Sequence, residues 1–349
     1  MSTRMLRSAL ILGMGTLFAA SSLQAATLVV ANKAEATVSL VDLASGKVAA
    51  TLPVGNGPHE VAISGDGRLA LIANYGTGPQ PGSTLTLIDV PAAKVVKTID
   101  LGEYRRPHGV TFLGNDRALV TVEANKALLE VDIEGGKVIR AIETGQEVSH
   151  MVAVAPDGSR AFVANIGSGS VTAIDLKAGK KIADVQTGAG AEGIAITPDG
   201  RQVWVTNREA DTVTVVDAST LKVVKTIEAA SFPIRAEATP DGKRVLVSLA
   251  KSGDLAVFST GGPALEQRLK LEAAAAGDQS GRLMTGFGNS SVPIGIEIAP
   301  DGKRAYVAHA NADQISIVDL AQGKRTGFLT AGKEPDGMGM SPLGVSGQK

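Results

Sequence analysis

An internal repeat constrains the fold of this chain more than any other feature of its sequence. The clearest copy, residues 191–227, contains four short strand-like segments, AEGIAI, VWVTN, TVTVVD and LKVVKTI. Copies of the unit open at Pro58, Pro107, Ser149, Ala191, Pro233, Pro293 and Pro335. The intervals are 49, 42, 42, 42, 60 and 42 residues. Four strands in about 42 residues is the period of a β-propeller blade.

The seventh copy has room for only one strand before the chain ends. The N-terminal region supplies the missing three, as Ala26–Asn32, Ala36–Asp42 and Lys47–Pro53. We therefore predict an all-β chain, a seven-bladed β-propeller with four antiparallel strands per blade. Its ring is closed by one C-terminal plus three N-terminal strands, which leaves no open edge between the first and last blades. Because 44% of the residues are hydrophobic but only 3% aromatic, the core is expected to be aliphatic.

The first 25 residues have the pattern of a secretory signal peptide. Arg4 and Arg7 precede the uncharged apolar stretch 8–20, and Leu23-Gln24-Ala25 resembles a cleavage site. We expect a signal peptide over 1–25 and a single propeller domain over 26–349. No later segment has the roughly 18 apolar residues of a membrane span. The predicted location is the periplasm, with no membrane span and no lipid anchor, since the chain has no Cys.

Charge and composition exclude several classes of partner and chemistry. The formal net charge is −1, so no basic excess is available to hold a nucleic acid. The absence of Cys excludes disulfides, thiolate metal sites and iron–sulfur clusters. The expected partner is a small molecule, a metal or a periplasmic protein, and the expected state is a monomer.

The repeat also carries a family resemblance. Residues 194–200 read IAITPDG, residues 203–207 read VWVTN, and residues 213–217 read VTVVD. This frame resembles the YVTN-repeat β-propellers, a group that includes YncE-like proteins and borders on the propeller lactonases. The resemblance covers nearly all of residues 26–349 and implies the fold. It implies no single activity, because its members include binding proteins and lactone hydrolases.

Two departures from the 42-residue period predict long loops on one face of the propeller. The interval of 60 places an insertion at 272–292, after a strand at 265–271, with a short helical turn over 273–276. The interval of 49 places extra residues at 75–83, between the second and third strands of a blade. Both loops belong to the same face of a propeller, and we expect the binding site there.

The second residue of each unit lies at the mouth of the innermost strand. In chain order these residues are His59, His108, His150, Glu192, Ile234, Ile294 and Asp336. Because the seventh unit adjoins the first, the five ligand-capable residues are consecutive in the ring. They predict a divalent metal site for zinc, copper, nickel or iron, formed by His59, His108, His150, Glu192 and Asp336. The alternative is that the polar ring only hydrates the mouth of the channel.

A second set of aligned residues ends the second strand of each blade on the same face. It consists of Asn32, Asn74, Glu123, Asn165, Asn207, Leu249 and His309. From these, and from the charge of Arg235 on the same face, we predict a set of ligand-binding residues. They are Glu123, Asn165, Asn207, Arg235 and His309.

Two classes of function remain open. The first is a periplasmic binding or interaction protein with a small-molecule or metal site at the channel mouth. The second is a metal-assisted hydrolase or lyase, similar to a lactonase, that uses the same face. No phosphate-binding loop, nucleophile elbow or dinucleotide fingerprint is present, so no catalytic residue can be named and the binding protein is favoured.

Overall fold

The structure, a computed structural model, describes residues 26–276, 282 and 286–346. Their twenty-eight strands form seven four-stranded antiparallel sheets. In chain order the strands are β1 Thr27–Asn32, β2 Thr37–Asp42, β3 Lys47–Pro53, β4 Pro58–Ile63, β5 Leu69–Gly76, β6 Pro81–Asp89, β7 Lys94–Asp100, β8 Pro107–Leu113, β9 Arg117–Val122, β10 Ala127–Asp132, β11 Lys137–Glu143, β12 Ser149–Val154, β13 Arg160–Asn165, β14 Ser170–Asp175, β15 Lys180–Gln186, β16 Ala191–Ile196, β17 Gln202–Asn207, β18 Thr212–Asp217, β19 Val223–Glu228, β20 Pro233–Ala238, β21 Arg244–Leu249, β22 Asp254–Ser259, β23 Ala264–Lys270, β24 Pro293–Ile298, β25 Arg304–His309, β26 Gln314–Asp319, β27 Lys324–Thr330 and β28 Pro335–Ser341. One 3-10 helix, Glu123–Asn125, follows β9.

Each sheet is one blade, and its innermost strand begins at a residue predicted to open a repeat. Blades 1 to 6 are β4–β7, β8–β11, β12–β15, β16–β19, β20–β23 and β24–β27, and blade 7 is β28, β1, β2 and β3. The innermost strands contact one another in ring order, and β24 and β4 both contact β28. The predicted seven-bladed propeller is therefore confirmed.

The ring closes where the two ends of the chain meet in blade 7. Strand β1 pairs with β28 in antiparallel register, with Thr27 opposite Ser341 and Leu28 opposite Met340. Strand β1 also pairs with β2, so both of its edges are satisfied. The predicted combination of one C-terminal and three N-terminal strands is confirmed.

The hydrophobic core lies between blades. One cluster joins Leu71 and Leu85 of blade 1 to Val120 and Leu129 of blade 2, and the other blade pairs are joined in the same way. Most of these side chains are aliphatic, as the composition predicts. The largest exception is the fully buried Trp204.

A threonine at one repeat position of the second strand links two neighbouring blades. In blade 4, the hydroxyl of Thr206 accepts a hydrogen bond from Gly193 N at 2.8 Å and donates to the carbonyl of Ile234 in blade 5 at 3.3 Å. In blade 2, Thr121 accepts from the equivalent glycine N and donates to the carbonyl of His150 in blade 3. These threonines set the position of the next innermost strand.

Glycine allows the innermost strands to approach closely. A Cβ atom added at Gly193 would lie under 3.0 Å from the carbonyl oxygen of Ile234, and one added at Gly109 would lie under 3.0 Å from that of His150. The close approach brings the mouths of neighbouring strands together around the channel.

The two predicted loops differ in part from expectation. Residues 75–83 lengthen the hairpin instead of forming an open loop, because Gly76 pairs with Pro81. The helical turn predicted over 273–276 is wrong. That segment has no helical conformation, and Ala276 N instead bonds to the carbonyl of Asn311 in blade 6. Part of the 272–292 insertion, and the predicted signal peptide at 1–25, lie outside the described residues.

Within the ranges that the structure describes, no helix has the length and hydrophobicity needed to cross a membrane.

Candidate functional site

A cavity of about 320 Å³ opens at the mouth of the central channel. All five residues of the predicted metal set line it: His59, His108, His150, Glu192 and Asp336. The innermost strands of blades 1, 2, 3, 4 and 7 place them there, as the repeat phase predicts. The side chains of three cations, Lys33, Arg208 and Arg235, also line the cavity.

The three histidines form a continuous group of rings. The ring centroids of His108 and His150 are 3.6 Å apart, and those of His59 and His108 are 4.9 Å apart. All three side chains are buried. Burial lowers the pKa of His108 well below its usual value, and burial together with Lys33 lowers the pKa of His59 to about 3. His59 and His108 are therefore neutral imidazoles, the form that binds metals.

His150 differs from the other two because carboxylates flank it on both sides. Its Nδ1 donates to Glu123 Oε1 at 2.5 Å, and its Nε2 lies 3.4 Å from Glu192 Oε1. Burial alone would lower the pKa of His150, but the hydrogen bonds and charges of Glu123 and Glu192 outweigh it and raise the pKa. The two carboxylates therefore favour the protonated form of His150.

Glu123 occupies the repeat position at which four other blades have an asparagine at the end of the second strand. It opens the 3-10 helix and is buried. The hydroxyl of Tyr75 donates to Glu123 Oε2 at 2.6 Å. Burial and the negative charge of Glu123 raise the pKa of Tyr75 to about 12, so this hydroxyl keeps its proton. Glu123 is thus held between Tyr75 and His150.

One group of side chains could hold a metal ion. His108, Glu123 and His150 each offer one ligand atom, and these atoms lie within 4.8 Å of one another. In the part of the chain that the structure describes, His108 Nδ1 is buried without a hydrogen-bond partner, and His150 Nε2 faces the carboxylate of Glu192 at 3.4 Å. Buried polar atoms are normally paired, so the unpartnered nitrogen of His108 marks a position at which a ligand atom would be favourable. Nitrogen and oxygen donors of this kind suit zinc, copper, nickel or iron.

The two remaining acids of the predicted metal set are neutralised by cations. Glu192 accepts from Arg208 at 2.6 Å and from Arg235 at 3.0 Å. Burial opposes ionisation of Glu192, but its hydrogen bond with His150 and the nearby positive charges hold its pKa below the usual range. Asp336 accepts from Lys33 at 3.1 Å. Both carboxylates border the histidine group as parts of ion pairs.

The predicted ligand-binding residues divide between the cavity and the blades. Arg235 lines the cavity and donates to Glu60 from Nε and Nη2 at 3.1 and 2.6 Å. Asn165 and Asn207 are fully buried and donate to hydroxyl groups of the neighbouring third strands. The two ring nitrogens of His309 are hydrogen-bonded to the hydroxyls of Ser291 and Ser316. The structure thus places both asparagines and His309 within blades and away from the cavity lining.

Several cavity residues were missed by reasoning from the sequence. The residue that follows the strand-ending asparagine is Lys33 in blade 7 and Tyr75 in blade 1, and both line the cavity. Reading the repeat one residue further would have found them. Phe232 and Phe287 also line it, but they belong to loops that the repeat does not align.

Solved structures with the same architecture support the fold. The chain matches hydrazine synthase of Kuenenia stuttgartiensis with a TM-score of 0.67 at 20% identity, covering 80% of this chain and 88% of that one. It matches a functionally unknown protein from Desulfotomaculum acetoxidans with a TM-score of 0.73 at 13% identity, covering 92% and 99%. It matches the periplasmic gluconolactonase of Pseudomonas aeruginosa with a TM-score of 0.70 at 18% identity, covering 90% and 99%. At these identities the likeness shows the fold alone.

No curated protein matches the chain. A family model does, and it extends over most of the propeller. The model of the cytochrome D1 heme domain matches residues 114–343, about two thirds of the chain and four of its blades in full. The chain therefore belongs to the cytochrome D1 heme domain family.

Proposed function

We propose that this protein is an exported β-propeller that binds a divalent transition metal at the mouth of its central channel. One observation carries the proposal: His108, Glu123 and His150 each offer a ligand atom, these atoms lie within 4.8 Å of one another, and His108 Nδ1 has no hydrogen-bond partner among the described residues. His108 and His150 were predicted metal ligands, and Glu123 was a predicted ligand-binding residue. His59, Glu192 and Asp336 surround this group and complete the polar lining.

The protonation of the two histidines is compatible with metal binding. His108 is already neutral, whereas the raised pKa of His150 means that a metal must displace a proton from this ring to gain one nitrogen lone pair. Tyr75 holds the far oxygen of Glu123 and so orients this carboxylate. Such outer contacts usually tune the affinity of metal ligands.

The family name implies heme, but the residues at the channel mouth do not fit this group. The rings of His108 and His150 are 3.6 Å apart, which leaves no space for a macrocycle between them. Lys33 and Arg235, which could hold carboxylates of the macrocycle, already form ion pairs. The arrangement fits a single ion.

The finer classification and the location belong to the same proposal. The frame of residues 194–217 supports a place among YVTN-repeat propellers. The pattern of residues 1–25 supports export to the periplasm as a signal peptide followed by one propeller domain over 26–349. One of the similar structures is a gluconolactonase described as periplasmic.

Calorimetric titration of the apo protein with zinc, copper and nickel tests the metal site. We expect His108→Ala, His150→Ala and Glu123→Gln each to weaken binding by at least about tenfold. Ile234→Ala is the matched control, because Ile234 has the same repeat position in blade 5 and offers no ligand atom. Equal and weak binding by the wild type and all variants would show that the ring only hydrates the channel.

A metal-assisted hydrolase is the second candidate function. The observation that favours it is the Glu123–His150 hydrogen bond next to the candidate ion, since a carboxylate–imidazole pair can hold and move a proton. A bound divalent ion would supply a Lewis acid. Lactone hydrolysis that requires added metal, and that is lost in Glu123→Gln even at metal concentrations that saturate this variant, would support this candidate. Metal binding without such activity would favour the binding protein.

A further inference from the structure

The cavity at the channel mouth has two unlike sides. The histidines, with Tyr75, form one side. On the opposite side, Ile234 and Ile294 occupy the same repeat position as the histidines, and Phe232 and Phe287 extend this surface. These four residues, here called the apolar wall, belong to one hydrophobic cluster. An apolar surface that lines a cavity is typical of a site for an organic ligand.

Phe232 is held in the wall by specific contacts. Ser231 and Phe232 both have positive φ, 95° and 63°, a conformation that costs free energy in residues other than glycine. The carboxylate of Asp211 accepts from both backbone N–H groups, at 3.2 and 2.7 Å, and so offsets this cost. The ring of Phe232 meets the ring of Phe287 at 5.4 Å, edge to face. The surroundings therefore fix the aromatic side chain at the cavity.

A cation marks the boundary between the two sides. The guanidinium of Arg208 lies 5.4 Å from the centre of the Phe232 ring, while its Nη1 bonds Glu192. Its buried Nε has no hydrogen-bond partner within the described ranges, and Glu209 Oε1 lies 3.9 Å from it, too far for a hydrogen bond. A guanidinium N–H without a hydrogen bond, next to an aromatic ring, is a site at which an anion with an apolar body would make favourable contacts.

The charges of the site favour an anion once a metal is present. The cations are Lys33, Arg208 and Arg235, and the carboxylates are Glu60, Glu123, Glu192 and Asp336. A divalent ion adds two positive charges to these three positive and four negative charges. One positive charge is then in excess, and a buried excess charge is unfavourable. A single negative charge on the ligand restores the balance.

We propose that the site binds a small organic monoanion with an apolar body, such as an aromatic or branched monocarboxylate. This inference rests on the proposed metal site. The carboxylate lies at the metal and near Arg208 Nε, and the apolar body lies against Phe232, Phe287 and the two isoleucines. The volume of about 320 Å³ is near the lower end of the roughly 300–1,000 Å³ typical of ligand pockets, which limits the ligand to a small molecule.

Calorimetry on the zinc-loaded protein with benzoate and acetate as probes tests the ligand class. We expect benzoate to bind at least about tenfold more tightly than acetate, because only benzoate covers the apolar wall. Phe232→Ala should remove most of this preference and leave zinc affinity unchanged. Arg208→Gln should weaken both probes alike. Phe328→Ala is the control, because this phenylalanine lies on the outermost strand of blade 6, and it should change neither probe.

The outcomes separate the ligand class from the metal site. Zinc binding with equal affinities for benzoate and acetate overturns the ligand class and leaves the metal site intact. If zinc does not bind, the same benzoate and acetate titrations of the apo protein test whether the apolar wall selects the ligand without a metal. A benzoate preference that Phe232→Ala abolishes supports the ligand class, and no preference overturns it. Melting curves monitored by circular dichroism identify any variant that fails to fold, and Phe232→Leu then replaces Phe232→Ala.

Discussion

His150 is the residue whose ionisation decides the behaviour of the site. It lies between Glu123 and Glu192, and its pKa is raised, whereas the pKa values of His59 and His108 are lowered. The pKa values at the same repeat position are therefore shifted in opposite directions within three adjacent blades. The difference arises from the carboxylates of Glu123 and Glu192, which flank His150.

At pH 6.5, the ordinary pKa of histidine, metal binding should release more than half a proton. The proton comes from His150, because a ring with a raised pKa is more than half protonated at this pH and an imidazolium has no nitrogen lone pair for a metal. Affinity is therefore expected to keep rising above pH 6.5 instead of levelling off there. Calorimetry in two buffers of different ionisation enthalpy counts the proton. Proton release near zero at pH 6.5 would contradict this assignment.

At the scale of the strand, a hydroxyl in one blade positions a site residue in the next. Thr121 in β9 donates to the carbonyl of His150 in β12, and Thr206 in β17 donates to the carbonyl of Ile234 in β20. Both threonines are fully buried and occupy the same phase of the repeat. They differ only in what the next strand carries, a metal-ligand candidate or part of the apolar wall.

This equivalence gives a matched pair of variants. Thr121→Val and Thr206→Val should each destabilise the fold by about 1–3 kcal/mol, because each leaves a buried carbonyl with one partner fewer. Only Thr121→Val is expected to lower metal affinity, by about tenfold, since it alone allows His150 to shift. Urea denaturation and zinc titration of both variants measure the two effects. An equal loss of metal affinity in the pair would mean that the contact acts through general stability.

The repeat explains which features of the fold and the site could be predicted from the sequence. Strand starts and the cavity positions of His59, His108 and His150 were predictable, because a constant period places equivalent residues at equivalent points of a ring. The partners of these residues were not. The hydrogen bond between Glu123 and His150 joins the adjacent blades 2 and 3, and its geometry depends on the directions of the two side chains. The contribution of Phe232 depends on a loop with positive φ, which the period does not describe.

At the scale of the whole molecule, the ring depends on β28. Truncation after Glu334 removes this strand, and the unpaired edge of β1 then exposes Leu28 and Val30. We expect a large fall in melting temperature and self-association through the open edge. Truncation after Ser341 is the control, because it keeps β28 complete. Circular dichroism melts and size-exclusion chromatography measure both effects. A monomer without β28 that melts with the full-length chain would show that blade 7 does not close the ring.

The pairing of β1 with β28 also orders the events of folding. Strand β1 is made first and finds its inner partner only when nearly all of the chain has emerged, because Thr27 pairs with Ser341. Contacts so distant in sequence form slowly, and a waiting strand edge invites association with other chains. We therefore expect the inner edge of β1 to remain unpaired, and prone to association, while the six intervening blades fold. The unpaired edge of β1 is therefore a binding site for a chaperone that recognises extended backbone, from the synthesis of β1 until β28 pairs with it.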